Sequence, residues 1–464
     1  MSWLRLCFSN ASHLLARQLT WVALGAFVLA VSNAEAGNLD SFYVSSEAAL
    51  QGGAVVATSS SGGSIWYNPA GMARLKGTRL DVNVSGYAAR FGAQVGFDSS
   101  LPDADERRLI LLEIDVVPAA VTLTRKFGNV GVGLGVFVPA QTGVTLRTHL
   151  AAPANATGHS LEFGYDSKSV YREYHMGPGV GWDVTPSLSL GMSLLANYRT
   201  FSESTDVSAS LVQALDGTRT ELGWAKHHRV DSIGVGLELI IGGQWRIGQG
   251  YSAGFVVRSP SLRLGYAAEQ IDTEIAAASN GSMNQKITFD ESLALGTQLL
   301  SPFRFHAGLS RSFGDVVMSG EASLLLPFEN SPLDIHEQAT FNARLGMTYQ
   351  VNPNWAIGGG VFTDRSPAPY PEEFLDKKID YYGLSFAVNR NTPYGVYSRG
   401  NDVLEEAQSL VFGTTVALSY SFGTGTIAGA LVGPSARGGI EVAAQPANVF
   451  AHEFVLHIAT AISE

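Results

Sequence analysis

One device recurs along this chain and limits what the chain can become. A run that ends in an aromatic meets a short polar turn, and apolar residues alternating with small ones follow. It is written as "KFGNVGVGLGVFV", "WDVTPSLSLGMSLL", "WRIGQGYSAGFVV", "SFGDVVMSGEASLLL", "YQVNPNWAIGGGVF" and "YSFGTGTIAGALV". Each places Gly, Pro, Asn or Asp between two period-2 runs, which is the signal of a hairpin. Longer polar stretches lie between these turns, such as "GFDSSLPDADERR", "SESTDVSASLVQALDGTRTELG" and "DRSPAPYPEEFLDKK". Tight turns on one side and long loops on the other are the layout of an outer-membrane barrel. Six tight turns join seven up-down pairs when both chain ends lie on the tight-turn side. The predicted count is therefore about 14 antiparallel strands.

The alternation assigns the faces. In "VGVGLGVFV", Val130, Val132, Leu134, Val136 and Val138 share one face, opposite Gly131, Gly133, Gly135 and Phe137. In "LSLGMSLLANY", Leu188, Leu190, Met192, Leu194 and Tyr198 alternate with Ser189, Gly191, Ser193 and Asn197. Large apolar residues outward and small or polar residues inward describe a lipid-facing wall around a lumen. Closure follows, because an unpaired edge in hydrocarbon costs several kcal/mol per backbone group. A soluble sandwich would also alternate, but strands of about 12 to 16 residues are long for one. The final run "ANVFAHEFVLHIATAI" is the predicted closing strand. The segment "KKIDYYGLSFAVNRN", residues 377–391, also has strand character, yet this count leaves it inside a long loop as an excursion or a mispairing.

Composition agrees. Hydrophobic residues make up 45% and charged residues 15%, with 51 Gly; soluble domains carry roughly 25% charge. The formal charge of −11 argues against a nucleic-acid partner. Near the start, Arg5 and Arg17 precede an apolar stretch, residues 21–31, and then Ala34, Glu35 and Ala36, the pattern of a secretory signal and its cleavage site. The single cysteine, Cys7, lies inside that signal, so the exported chain has no disulfide or thiol chemistry. The expected organisation is a signal peptide over 1–36, a small N-terminal hatch over 37–77 and a transmembrane β-barrel over 78–464.

The hatch is expected from "SEAALQGGAVVATSSSGGSIWYNPAGMARLKG". It is rich in small residues, with helical pieces at 46–50 and 69–75. Asn68 is placed as an N-cap and Pro69 at the first helical position. Trp66 and Tyr67 need both packing and polar partners. Such a segment cannot bury itself, and a barrel of about 14 strands has a lumen that can hold it.

This region, followed by a strand, resembles the N-terminal hatch of the FadL-type outer-membrane transporters of long-chain fatty acids and hydrocarbons. Asn68, Pro69 and Ala70 match the family's hatch turn. "VPAAVTLTRKFGNVGVGLGVFVPA" resembles its second and third strands, and "GMTYQVNPNWAIGGGVFTDRSP" a late hairpin. The resemblance implies a multi-pass, hatch-plugged barrel of 14 strands, a monomer in the Gram-negative cell outer membrane. It implies passive uptake of a hydrophobic small molecule, a fatty acid or hydrocarbon, and sideways release to membrane lipid at a kinked third strand. The matching strand carries Gly131, Gly133, Gly135 and Pro139. These features either weaken pairing there or make room for the plug. The sequence departs from the pattern in ending "HIATAISE" rather than on an aromatic, so that Phe450 or Phe454 has to serve. Residues 366–408 also lack a counterpart.

Other signals carry less. "AHEFVLH" spaces His452 and His457 five apart, which puts them on opposite faces of a strand and fails the four-residue spacing of a zinc-protease helix. His227 and His228 are expected to open a strand near the outer rim. Glu238 is expected inside, paired with a basic residue or meeting a ligand head group. No nucleophile, base and orienter come together by spacing, so no catalytic residue, no metal ligand and no cofactor is assigned, and an enzyme is not expected. The alternatives to a hydrophobic-compound transporter are a polar-solute porin and a structural or adhesive barrel.

Overall fold

The structure, a computed structural model, describes residues 43–99, 107–116, 120–152, 160–215, 218–278, 283–330, 335–371, 377–400, 403–434 and 440–464. The signal expected over 1–36 lies outside them. Two short helices come first, α1 (Ser46–Leu50) and α2 (Ser64–Tyr67), then a 3-10 turn, Pro69–Arg74. The strands follow: β1 (Thr78–Ser99), β2 (Arg107–Val116), β3 (Ala120–Phe127), β4 (Val130–Ala152), β5 (Ser160–Asp183), β6 (Leu188–Leu215) and β7 (Thr218–Gly248). Next are β8 (Tyr251–Arg258), β9 (Leu262–Ala278), β10 (Met283–Leu299), β11 (Arg304–Phe313), β12 (Val316–Leu325) and a small pair, β13 (Phe328–Asn330) and β14 (Ile335–Glu337). The last are β15 (Thr340–Asn352), β16 (Trp355–Asp364), β17 (Lys377–Gly400), β18 (Val403–Pro434) and β19 (Ile440–Ser463).

All but β13 and β14 belong to one 17-stranded sheet. Three wall positions are each split in two: β2 with β3, β8 with β9, and β10 with β11. The wall therefore has fourteen positions. It closes where β19 pairs antiparallel with β1, from Arg79↔Ser463 to Ala93↔Phe450. The C-terminus without a final aromatic thus still completes the barrel.

The outer face is apolar. Val132, Leu134, Val136, Met192, Leu345, Met347, Phe386 and Leu418 are all exposed, while the opposite parity is small, polar or packed inward. Among the described residues no helix is long and apolar enough to cross a membrane; the exposed apolar parity makes the strands the spanning elements. The expected tight turns appear after β3, β5, β7, β11 and β15. Gly128 takes φ +58° in the first of them, a conformation that suits glycine.

Three expectations need correction. "YSFGTGTIAGALV" is not a turn; its glycines lie within β18. The sixth tight connection instead joins β17 to β18, with Gly400 paired to Val403. Residues 377–391 are not a loop excursion but part of β17, paired with β18 along their length and with β16 from Tyr381 to Arg390. The total stays at fourteen because one false turn replaced one real one. The polar stretch after Phe201 is also no loop: β6 and β7 pair from Leu188↔Trp245 to Leu215↔Thr218. Those strands are 28 and 31 residues long. Beyond the membrane a strand has water on its surface and needs no apolar parity, so its sequence reads as loop. His227 and His228 accordingly stand well inside β7 rather than opening it.

Strand lengths make the rim uneven. β12, β15 and β16 have 10, 13 and 10 residues and rise about 25 to 35 Å at the usual tilt. β6 and β7 rise about 70 Å or more by the same arithmetic. The wall is low at β12–β16 and tall on the flanks.

Candidate ligand passage

Residues 43–77 pack within the lumen. Asn68 is fully buried and fixes the segment at its centre. Its Nδ2 donates to Val56 O at 2.7 Å and to Gly243 O of β7 at 3.1 Å. Its Oδ1 accepts from Ala70 N at 3.2 Å, the N-cap bond of the turn that Pro69 opens. One amide side chain thus ties two parts of the segment to the wall and starts its last turn. Ala70 and Met72 are fully buried beside it. Tyr67, half-buried, accepts from Val44 N at 3.1 Å through its hydroxyl.

The wall is shaped for this segment. A side chain at Gly242 would run into Asn68, at Gly181 or Gly191 into Pro69, and at Gly131 into the Met72 carbonyl. Polar groups complete the seat. Glu321 of β12 accepts from Val55 N and Val56 N at 3.0 and 3.1 Å. Asn83 of β1 donates to Val44 O at 2.7 Å. Burial, helped by the nearby charge of Arg246, draws the Arg74 guanidinium down to about 10, so it stays charged at neutral pH.

Trp66 faces the wall at one particular place. It lies 5.5 Å from Phe137 of β4 and 5.1 Å from His175 of β5, centroid to centroid. Arg258 of β8 covers its face at 3.9 Å and donates to its carbonyl. Behind it is a buried charge network. His175 meets Glu173 at 2.7 Å and Glu238 at 3.2 Å; Arg199 meets Glu173 at 2.8 Å; Arg258 meets Glu238 at 3.5 Å. Glu238 is therefore inside and ion-paired, as one of its two expected roles requires.

The wall beside Trp66 is interrupted. The β4–β5 register runs unbroken through Gly131, Gly133 and Gly135 to Phe137↔His175, then resumes at Ala140↔Glu173. Val138 and Pro139 face the single residue Tyr174, the count of a β-bulge. Val138, expected outward, is instead only 4% exposed and packs with Val455 and Tyr174. On the other side, β3 pairs with β4 from Ala120↔Phe137 downward. Among the described residues no pair joins β2 to the upper part of β4. Of the four strand residues singled out in the sequence, Pro139 stands at the break, while Gly131, Gly133 and Gly135 keep their partners on both sides.

Above the segment lies a small, partly open cavity of about 60 Å³. Trp66 and Tyr67 form its aromatic side, and Arg258, Arg304, Arg344 and Glu321 are among the wall residues. The lining sets aromatic faces beside charged groups, the chemistry that meets an apolar body with a polar end. Sequence reading did not single out Arg258, His175 or Glu173. The available signal was parity: each shares the inward side of its strand with small residues, as His175 does with Gly177, Gly179 and Gly181. His452 and His457 fall on opposite faces of β19, with His457 3% exposed and His452 exposed.

No protein-family model matches the chain, and no curated protein matches it. Solved structures do. The Pseudomonas putida toluene transporter TodX superimposes with a TM-score of 0.57 at 12% identity, covering 92% of this chain and 99% of that one. The CymD monoaromatic hydrocarbon channel gives 0.53 at 13%, covering 90% and 96%. A Pseudomonas aeruginosa FadL homologue gives 0.52 at 12%, covering 90% and 97%. The chain has the fold of these channels.

Proposed function

We propose that the chain is a FadL-type channel of the Gram-negative outer membrane that takes up hydrophobic small molecules without an energy source. Residues 37–77 act as its hatch after removal of 1–36, and the barrel over 78–464 carries the passage. A ligand settles on Trp66 and Tyr67 in the cavity, passes Phe137, and leaves sideways into lipid at Val138–Pro139. The observation that carries this reading is the coincidence of the β4 bulge with the Trp66–Phe137 contact. The one break in the β4–β5 register stands directly behind the aromatic edge of the plug. A wall opening there spares a greasy solute any crossing of water, where its apolar surface is unfavourable. The barrel works as a monomer within its membrane, and its role is transport rather than catalysis.

The test is native mass spectrometry of the detergent-purified barrel with extraction of bound compounds, paired with planar-bilayer recording. Bound fatty acids or hydrocarbons in a barrel that does not conduct ions support the reading. An empty barrel that conducts ions overturns it in favour of a porin. An empty and silent barrel, whose host takes up fatty acids equally well without it, points to a structural role.

A further inference from the structure

β10 stands apart from the rest of the wall. It pairs with β9 from Met283↔Ala277 to Leu299↔Leu262, and among the described residues no strand pairs with its other edge. Its neighbour in the wall, β12, pairs with β15 on one side and, on the side toward β10, with the lower segment β11. Leu299 already lies 14 residues above the turn at Phe313, about 35 Å up at the usual rise and tilt. That clears an apolar band of about 25 Å. Every side chain from 283 to 293 is exposed. Met283 is 72%, Ile287 64%, Phe289 55% and Leu293 76% exposed, in a place where lipid does not cover them. An edge open across residues 283–293, with apolar side chains in water, is a template for pairing with another strand.

The sequence of this edge is complementary to itself. Across a two-fold axis at Thr288, antiparallel pairing sets Met283 opposite Leu293, Ile287 opposite Phe289, and Lys286 opposite Asp290. Gln285 then meets Glu291, and Asn284 meets Ser292. The apolar pairs share one face of the strand and the ion pair the other, as period-2 alternation requires. Moving the axis by one residue destroys the match. Centred on Phe289 it opposes Ile287 to Glu291; centred on Ile287 it opposes Met283 to Glu291. One register is therefore favoured.

We infer that β10 is a docking edge for a second copy of this chain standing on a facing outer membrane. The opposed orientation follows from the geometry. Antiparallel strands in one sheet are related by an axis perpendicular to the sheet, here the upright wall. Rotation about it turns one barrel's membrane end away from the other's, so two copies in the same membrane cannot pair this way. The contact joins two surfaces through their tall walls, and it does not depend on what passes through the lumen.

The experiment uses the full-length barrel in two differently dyed sets of proteoliposomes, with clustering followed by light scattering and two-colour coincidence. Wild-type vesicles are expected to cluster with one another. K286D sets like charge against Asp290 twice, and D290K sets like charge against Lys286 twice, so each alone loses clustering. Mixed together, the two variants restore both ion pairs and cluster again, and the double variant K286D/D290K clusters with itself. All these side chains are exposed, and heat-modifiable gel mobility checks that each barrel is folded. Wild-type vesicles that stay dispersed overturn the inference. So do single variants that cluster like wild type, a mixture that fails to recover, or a doubled mass within one nanodisc.

Discussion

The Arg258 guanidinium lies over the ring of Trp66, 3.9 Å from its centroid, and the same side chain donates to the Trp66 carbonyl. One wall residue thus holds both the ring and the backbone of the plug. A desolvated cation–π contact contributes about 2 kcal/mol, and Phe137 and His175 add the two other sides of the cage. Trp66→Ala removes all three contacts and frees the plug at the edge nearest the bulge. In planar bilayers the variant is expected to pass ion current where the wild type is silent. Trp66→Phe, which retains a ring, is expected to fall between them.

Asn68 separates capping from tethering. Asn68→Asp keeps the oxygen that caps the turn and loses the two donated bonds to Val56 and Gly243. Asn68→Ala loses both functions. Buried hydrogen bonds contribute about 1 kcal/mol each and an N-cap about 1 kcal/mol. Asp is therefore expected to loosen the plug and Ala to loosen it further. Limited trypsin digestion of the folded barrel reads this as cleavage after Arg74 and Lys76, with rates ordered wild type, Asp, Ala. Equal rates in all three would remove Asn68 from the role of tether.

Two glycines on opposite faces of the wall, Gly131 inward and Gly223 outward, make a paired prediction. A side chain at Gly131 collides with the Met72 carbonyl, whereas one at Gly223 of β7 meets open space. Overpacking costs about 1 to 3 kcal/mol, and the plug is the element that can move. Gly131→Val is expected to give a folded barrel that leaks ions, and Gly223→Val one that does not. Leak from neither would mean that the plug, once displaced, still seals the lumen.

The wall was readable because lipid imposes a parity on each strand it touches. Leu190, Met192 and Leu194 faced outward as their alternation required. Legibility ended where that constraint ends. β6 and β7 continue far above the apolar band with no parity to mark them, and so read as loops. The β17–β18 turn carried too weak a signal, and Gly423 and Gly425 supplied a false one within β18. The plug was legible from its own chemistry: a capping Asn, a Pro behind it, and two aromatics without a core. Its partners were not. Arg258, Glu321 and Gly242 meet residues 43–77 only through closure of the whole barrel, and no local spacing encodes that contact.

The bulge offers the most direct test of the passage. Two residues, Val138 and Pro139, stand against Tyr174 alone, and Pro139 has no N–H to pair with. Deleting Pro139 leaves Val138 opposite Tyr174, with Phe137↔His175 and Ala140↔Glu173 intact on either side. Alternation is then restored through this stretch: Phe137 inward, Val138 outward. The plug is untouched, because its contacts with β4 lie at Gly131, Gly133 and Phe137. The deletion is expected to leave a folded, ion-tight barrel that still binds its ligand, while uptake of a long-chain fatty acid falls to that of cells without the protein. Retained binding with lost uptake places the exit at the bulge. Unchanged uptake would place it elsewhere and leave Val138–Pro139 as a bend that seats Phe137 against Trp66.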